Sequence, residues 1–254
     1  MRIVIKVGSH VLAENGGLAM QRISNVCAFL VDLMQENEVI LVSSGAVAAG
    51  HTKLKLDKSL LGNKQAIAAV GQPYIVSVYQ NEFEKNGILV GQILLGMDDF
   101  DSRRHTEHAK KAVLTLLEHG VLPIINENDV TSIEELVFGD NDQLSAYVAR
   151  HFDADLLVIL SDIDGYYDDD PRVNENAKMI HIVNEIREED LEKAHAPTNE
   201  FATGGIVTKL KAAAYLLSHD SEMFMASGFD LADIRAFLLE GNHKGGTYFK
   251  KSDA

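Results

Sequence analysis

Lys6 stands inside the apolar run from Ile3 to Val7, with Gly8 and Ser9 directly after it. A lysine drawn into an apolar interior is costly unless something negative meets it. At a strand end it either reaches an anion, with Gly8 leaving room for backbone amides to approach the same anion, or lays its stem along the strand and snorkels to water. Lys209 raises the same question more sharply. It closes the run Thr203-Gly204-Gly205-Ile206-Val207-Thr208-Lys209, in which two glycines precede a helical pattern. Cations are disfavoured in the first turn of a helix, and the conflict disappears when an anion sits between the lysine and the helix end.

Three further polar clusters interrupt apolar runs. Ser43-Ser44-Gly45-Ala46 follows Val39 to Val42. It is either an anion site built on free amides or an ordinary β–α turn. Its spacing matches neither G-x-G-x-x-G nor the G-K-[ST] phosphate loop. Asn126-Glu127-Asn128-Asp129 and Gly139-Asp140-Asn141-Asp142 lie about a dozen residues apart. Their side chains either hold an ammonium group, a magnesium ion or a lysine, or act as turn and cap residues. Ser161-Asp162, at the end of Leu156 to Leu160, is either a nucleotide contact or a β-turn. Asp98-Asp99 with His105 and His108 lacks metal-ligand spacing, the spacing argues for no Ser-His-Asp or Cys-His set, and Asp168-Asp169-Asp170 reads as a solvated acidic turn.

The elements that must position these clusters alternate along the chain. Strand-like runs are expected at Ile3 to Val7, Val39 to Val42, Ile88 to Leu95, Val121 to Ile125, Leu156 to Leu160 and Met223 to Ala226. Helical spacing covers Gln21 to Glu36, Asn63 to Lys85, Arg103 to Glu118, Leu144 to Phe152, Ile206 to Ser218 and Leu231 to Leu239. Pro73 predicts a kink or boundary, and Thr131 to Phe138 a small hairpin. Buried strands alternating with helices predict an α/β protein, a mostly parallel sheet covered on both faces. Ligands of such sheets bind beyond the carboxyl ends of the strands, where the polar clusters fall.

The chain has 254 residues and a formal charge of −15, from 38 acids against 23 Lys and Arg. That balance argues against nucleic acid or an anionic membrane as a general partner. Cys27 is the single cysteine, so no intrachain disulfide forms, in keeping with a cytoplasmic setting. Neither a signal peptide nor a membrane-spanning helix is expected.

The ordered set of motifs is more specific than any member. Lys6-Val7-Gly8-Ser9, Ser43-Ser44-Gly45-Ala46, Asn126 to Asp129, Gly139 to Asp142 and Thr203 to Lys209, with Lys64 to Gln72 between them, resembles the glutamate 5-kinase family of the amino acid kinase superfamily. The likeness runs from Met1 to about Phe249. It implies the amino acid kinase fold, a three-layer α/β/α sandwich, as a single domain over 1–254. The N-terminal part would bind glutamate, and the part from about residue 155 the nucleotide. It implies phosphorylation of the L-glutamate side chain by ATP with Mg²⁺, the first step of proline synthesis. Lys6, Ser161, Asp162, Thr203, Gly204, Gly205, Ile206, Val207, Thr208 and Lys209 are the implied ATP contacts, and Ser44, Asp129 and Asn141 the glutamate contacts.

In that chemistry the acceptor carboxylate is already ionised at neutral pH, so no general base is needed and catalysis rests on positioning and charge compensation. Lys6 and Lys209 would meet the transferring phosphoryl group, and Asp142 would hold both lysines. Asp129 would pair with the substrate ammonium and Ser44 with a carboxylate. A homo-oligomer, proline as feedback inhibitor and a glutamyl phosphate reductase as partner are further family expectations, and no C-terminal PUA domain is expected. The competing expectations are an acetylglutamate or aspartate kinase, or a non-catalytic amino acid sensor on the same fold.

Overall fold

The β-branched and apolar residues of the strand-like runs build a sheet whose two faces are both covered. The structure, a computed structural model, describes residues 1–132, 141–171, 173–194 and 205–252. The first half comprises β1 (Arg2–Val7), α1 (Ser9–Leu12), β2 (Ala13–Glu14), β3 (Gly17–Leu18), α2 (Met20–Leu33), β4 (Glu38–Ser43), α3 (Ala46–His51), α4 (Leu61–Glu84), β5 (Val90–Leu95), α5 (Asp98–Asp101), α6 (Arg103–Glu118) and β6 (Leu122–Glu127). The second comprises α7 (Asp142–His151), β7 (Leu156–Ser161), β8 (Ile182–Val183), α8 (Glu188–Ala194), α9 (Ile206–Ser218), β9 (Glu222–Ser227), α10 (Ala232–Glu240) and β10 (Thr247–Phe249).

Among the described residues, eight strands form one sheet in the order β5-β6-β4-β1-β7-β9-β10-β8. Neighbours are parallel except β10 against β9. β1 lies near the middle, between β4 and β7.

Alternation along each strand divides the core in two. Ile3, Ile5 and Val7 of β1 join Val39 and Leu41, Val158 and Leu160, and the inner faces of α2 and α4. Val4 joins Ile40 and Val42, Leu157 and Ile159, and apolar residues of α7 and α9. Helices thus cover both sides, as a sheet apolar on both faces requires. The arrangement is the expected three-layer α/β/α sandwich.

Two expectations need correction. Of the kink or boundary expected at Pro73, the boundary is not there: α4 runs through it from Leu61 to Glu84. Pro73 and Ala69, one turn earlier, are both exposed, so the carbonyl that loses its amide partner faces water. The acidic turn is only partly solvated. Asp169 is exposed, but Asp170 is buried, at 4% exposure. The expected hairpin lies mostly outside the described residues.

Candidate active site

Parity along β1 decides where Lys6 points. It pairs with Val42 on one side and Ile159 on the other, so it shares their face, the one covered by α7 and α9. Its side chain is 2% exposed. Its Nζ lies 2.6 Å from Oδ1 of Asp142, the first residue of α7. Lys209, in the first turn of α9, donates from Nζ to Oδ2 of the same carboxylate at 3.1 Å and to the Gly205 carbonyl at 2.9 Å. The Thr208 hydroxyl also donates to Asp142 Oδ2, at 3.0 Å. Asp142 is fully buried and sits at a helix N-terminus, where the backbone favours a carboxylate.

The structure therefore brings Lys6, Asp142 and Lys209 to one point beyond the carboxyl ends of β1 and β7. Gly8 stands beside it: a Cβ there would lie 3.8 Å from Lys6 Nζ. The Gly8 amide, however, is committed to the Leu160 carbonyl at 3.0 Å. The glycine's own contribution is therefore room above the ammonium.

A second cluster adjoins the first. Asn141 occupies the N-cap position of α7, yet its side chain makes no cap bond. Its Nδ2 donates instead to Asn126 Oδ1 at 2.6 Å, to the Ser43 carbonyl at 3.2 Å and to Ser44 Oγ at 3.2 Å. Asn126 Nδ2 donates on to Gln72 Oε1 at 2.7 Å. The Asn141 and Asp129 Oδ1 atoms are both buried, without a hydrogen-bond partner among the described residues. Burial, and to a smaller degree the charge of nearby Glu127, pushes the Asp129 carboxyl up to about 7. Buried acceptors of this kind call for a donor, and an ammonium supplies several.

The turn before α3 fixes Ser44. Gly45 adopts φ +93°, a left-handed conformation suited to glycine, and a Cβ there would come within 3.0 Å of Ile75. α3 and α4 then cross closely. A Cβ on Gly50 would stand 1.8 Å from the Ile67 carbonyl, and one on Gly71 1.8 Å from the Ala46 carbonyl. This approach delivers Gln72, the next residue, to Asn126.

Ser161 and Asp162 end β7 on the other side of Lys6. Ser161 Oγ donates to Asp162 Oδ1 at 2.9 Å, and His10 Nδ1 lies 3.3 Å from Asp162 Oδ2. The side chains of Ile206 and Val207 are buried in the core below α9, so only their backbone is available to a ligand. Thr203, Gly204 and Asp140 lie outside the described residues.

Residues 1–227 match the amino acid kinase family. The chain belongs to the amino acid kinase family. Within it, this kinase is similar to a glutamate 5-kinase of Leishmania donovani, 54% identical over 248 residues, which cover 98% of this chain and 94% of that protein. A glutamate 5-kinase of Wolinella succinogenes is 53% identical over 253 residues, covering 98% and 97%. The crystal structure of an isopentenyl phosphate kinase substrate complex superposes with a TM-score of 0.65 at 14% identity, covering 97% of this kinase and 98% of that chain. That likeness concerns the fold alone.

Sequence reasoning gave this amino acid kinase no role for Gln72, Asn126 as an individual residue, Thr208 as an Asp142 partner, or His10. The usable signal for Gln72 was a glutamine beside a glycine in an otherwise apolar helix stretch. Nothing local marks its partner, which lies 54 residues away.

Proposed function

We propose that this protein is a glutamate 5-kinase, transferring the γ-phosphoryl group of ATP to the side-chain carboxylate of L-glutamate to give ADP and L-glutamyl 5-phosphate. The observation that carries the reading is the convergence of Lys6 and Lys209 on the Asp142 carboxylate, beside a pocket of buried acceptors at Asp129 and Asn141.

The acceptor carboxylate is ionised at neutral pH and attacks γ-phosphorus in line. The P–O bond to ADP breaks as the new acyl phosphate bond forms. The barrier comes from bringing anions together, so the protein's part is alignment and positive charge. Among the three side chains at the convergence point, positive charge exceeds negative by one. Asp142 fixes the direction of both ammonium groups, which address the transferring phosphoryl from two sides. Ser161, Asp162 and the start of α9 from Gly205 serve the nucleotide. Ser44 serves a substrate carboxylate, and Asp129 and Asn141 the α-ammonium. This divides one domain into a glutamate-binding N-terminal part and a nucleotide-binding part from about residue 155.

Among the described residues, no group of three His, Cys, Asp or Glu side chains is placed to hold a metal. Mg²⁺ would arrive as an ion carried by the ATP phosphates, and the exposed carboxylate of Asp162 is the side chain that would help hold it on the nucleotide side. Bound there, it would screen phosphate charge. Proline as inhibitor, a reductase that consumes the labile product, a homo-oligomeric state and a cytoplasmic location belong to the same proposal.

Two buried acceptors facing an ammonium favour a free amino acid over an acetylated one. ADP release should be measured with glutamate, aspartate and N-acetylglutamate, with hydroxylamine trapping of the acyl phosphate. Glutamate should be the preferred acceptor and yield hydroxamate; preference for N-acetylglutamate or aspartate, or no turnover with any, would refute the assignment.

A further inference from the structure

The hydrogen-bond chain from Ser43 to Gln72 has a fixed polarity. The Ser43 backbone carbonyl can only accept, so the Asn141 end facing it must be Nδ2. Nδ2 also meets Asn126, so Asn126 must present Oδ1 there, at 2.6 Å. Asn126 then has only Nδ2 to offer its other neighbour, and Gln72 must answer with Oε1, at 2.7 Å. The last consequence falls at the opposite end of the chain: Asn141 Oδ1 is left buried, without a hydrogen-bond partner among the described residues. Asn126 and Asn141 are at most 1% exposed and Gln72 is 8% exposed, so bulk water has little access to reverse the pattern.

We infer that Gln72 is a positioning residue for substrate recognition: by accepting from Asn126, it keeps the carbonyl end of the Asn141 amide turned toward the substrate's α-ammonium. Gln72 touches neither reactant in this scheme. It acts through two amides, and it is carried to its place by the glycine-mediated crossing of α3 and α4. Without an acceptor at position 72, Asn126 Nδ2 is left buried and unanswered, and the Asn126 amide is no longer held from that side. Asn126 Oδ1 then becomes a looser acceptor for Asn141 Nδ2, and the Asn141 amide keeps the Ser43 carbonyl but loses the firm second acceptor that sets its angle. This inference rests on the glutamate kinase reading and specifies how that site selects an amine-bearing substrate.

The test is steady-state kinetics on the full chain, with glutamate and ATP varied separately. Gln72→Met keeps volume and removes the acceptor; Gln72→Glu keeps an acceptor in either protonation state. The methionine variant should raise the glutamate KM roughly tenfold, as expected for stranding one buried polar group. Its kcat and ATP KM should stay within about twofold of the parent, and the glutamate variant should hold the glutamate KM within about twofold. An unchanged glutamate KM in Gln72→Met, a loss shared by kcat and both KM values, or a Gln72→Glu variant as impaired as Gln72→Met would overturn the inference. If Gln72→Met does not fold, Gln72→Ala and Gln72→Glu decide by the same criteria. A parent protein inert toward glutamate overturns the activity and this inference together. An active parent without the variant pattern overturns this inference alone.

Discussion

Lys6 and Lys209 end on opposite oxygens of the Asp142 carboxylate, one at 2.6 Å and the other at 3.1 Å. One lysine comes from the central strand and the other from the first turn of a helix in the last quarter of the chain. Replacing either by alanine should lower kcat on the order of 10²–10³, the usual effect of removing one preorganised charge contact. Wild-type-like turnover in either variant would take that lysine out of the phosphoryl site.

Asp142 should matter for stability as well as rate. Breaking a buried ion pair by removing one partner commonly destabilises by about 3–5 kcal/mol, and Asp142 is fully buried. Asp142→Ala should therefore lower the denaturant midpoint clearly and leave little activity. Asp142→Asn keeps the volume but not the charge, and should lose turnover more than stability. Equal stability of parent and alanine variant would show that the lysines do not depend on this carboxylate.

The raised carboxyl of Asp129 predicts a pH dependence. In the proposed site the group can partner an ammonium only when ionised, and burial with Glu127 nearby pushes it up to about 7. As pH falls through that value the carboxylate takes a proton and the attraction is lost. Thus kcat/KM for glutamate should decline below about pH 7, while the ATP KM stays nearly level. Asp129→Asn should raise the glutamate KM and flatten that decline. A parent profile flat between pH 6 and 8 would contradict the assignment.

Gly71→Ala tests how the helix crossing supports the site. The new Cβ would fall 1.8 Å from the Ala46 carbonyl, so α3 and α4 must separate. Overpacking of this kind typically costs about 1–3 kcal/mol. The shift displaces Gln72 as well, so the glutamate KM should rise more than the ATP KM. A variant matching the parent in melting temperature and glutamate KM would show that the crossing tolerates a methyl group.

What the sequence disclosed follows from how local each signal is. Long apolar runs such as Leu156 to Leu160 and helices such as Arg103–Glu118 carry their pattern within a few residues, and they lie where periodicity puts them. The two-residue strand Ile182–Val183 and the strand Thr247–Phe249 do not, because their pairing comes from distant backbone. By polarity alone Asn126 and Glu127 belong to a turn. They complete β6 instead, and buried partners at the strand end hold the Asn126 side chain. The lysines could be singled out because each violates a local rule, one inside an apolar strand and one in a helix's first turn. Gln72 violates none that a single sequence displays.

The two-faced burial of β1 leaves its alignment weakly determined by greasiness alone. Ile3, Val4, Ile5 and Val7 would suit either side of the sheet, so sliding the strand by one residue exchanges one set of aliphatic side chains for another. Lys6 is the only member of that strand interior for which the exchange is intolerable, because the opposite layer places hydrocarbon where the Asp142 carboxylate should be. The ammonium proposed to handle phosphate thus also acts as a key that admits one alignment of the innermost strand. A neutral replacement at position 6 would relax that selection along with the chemistry.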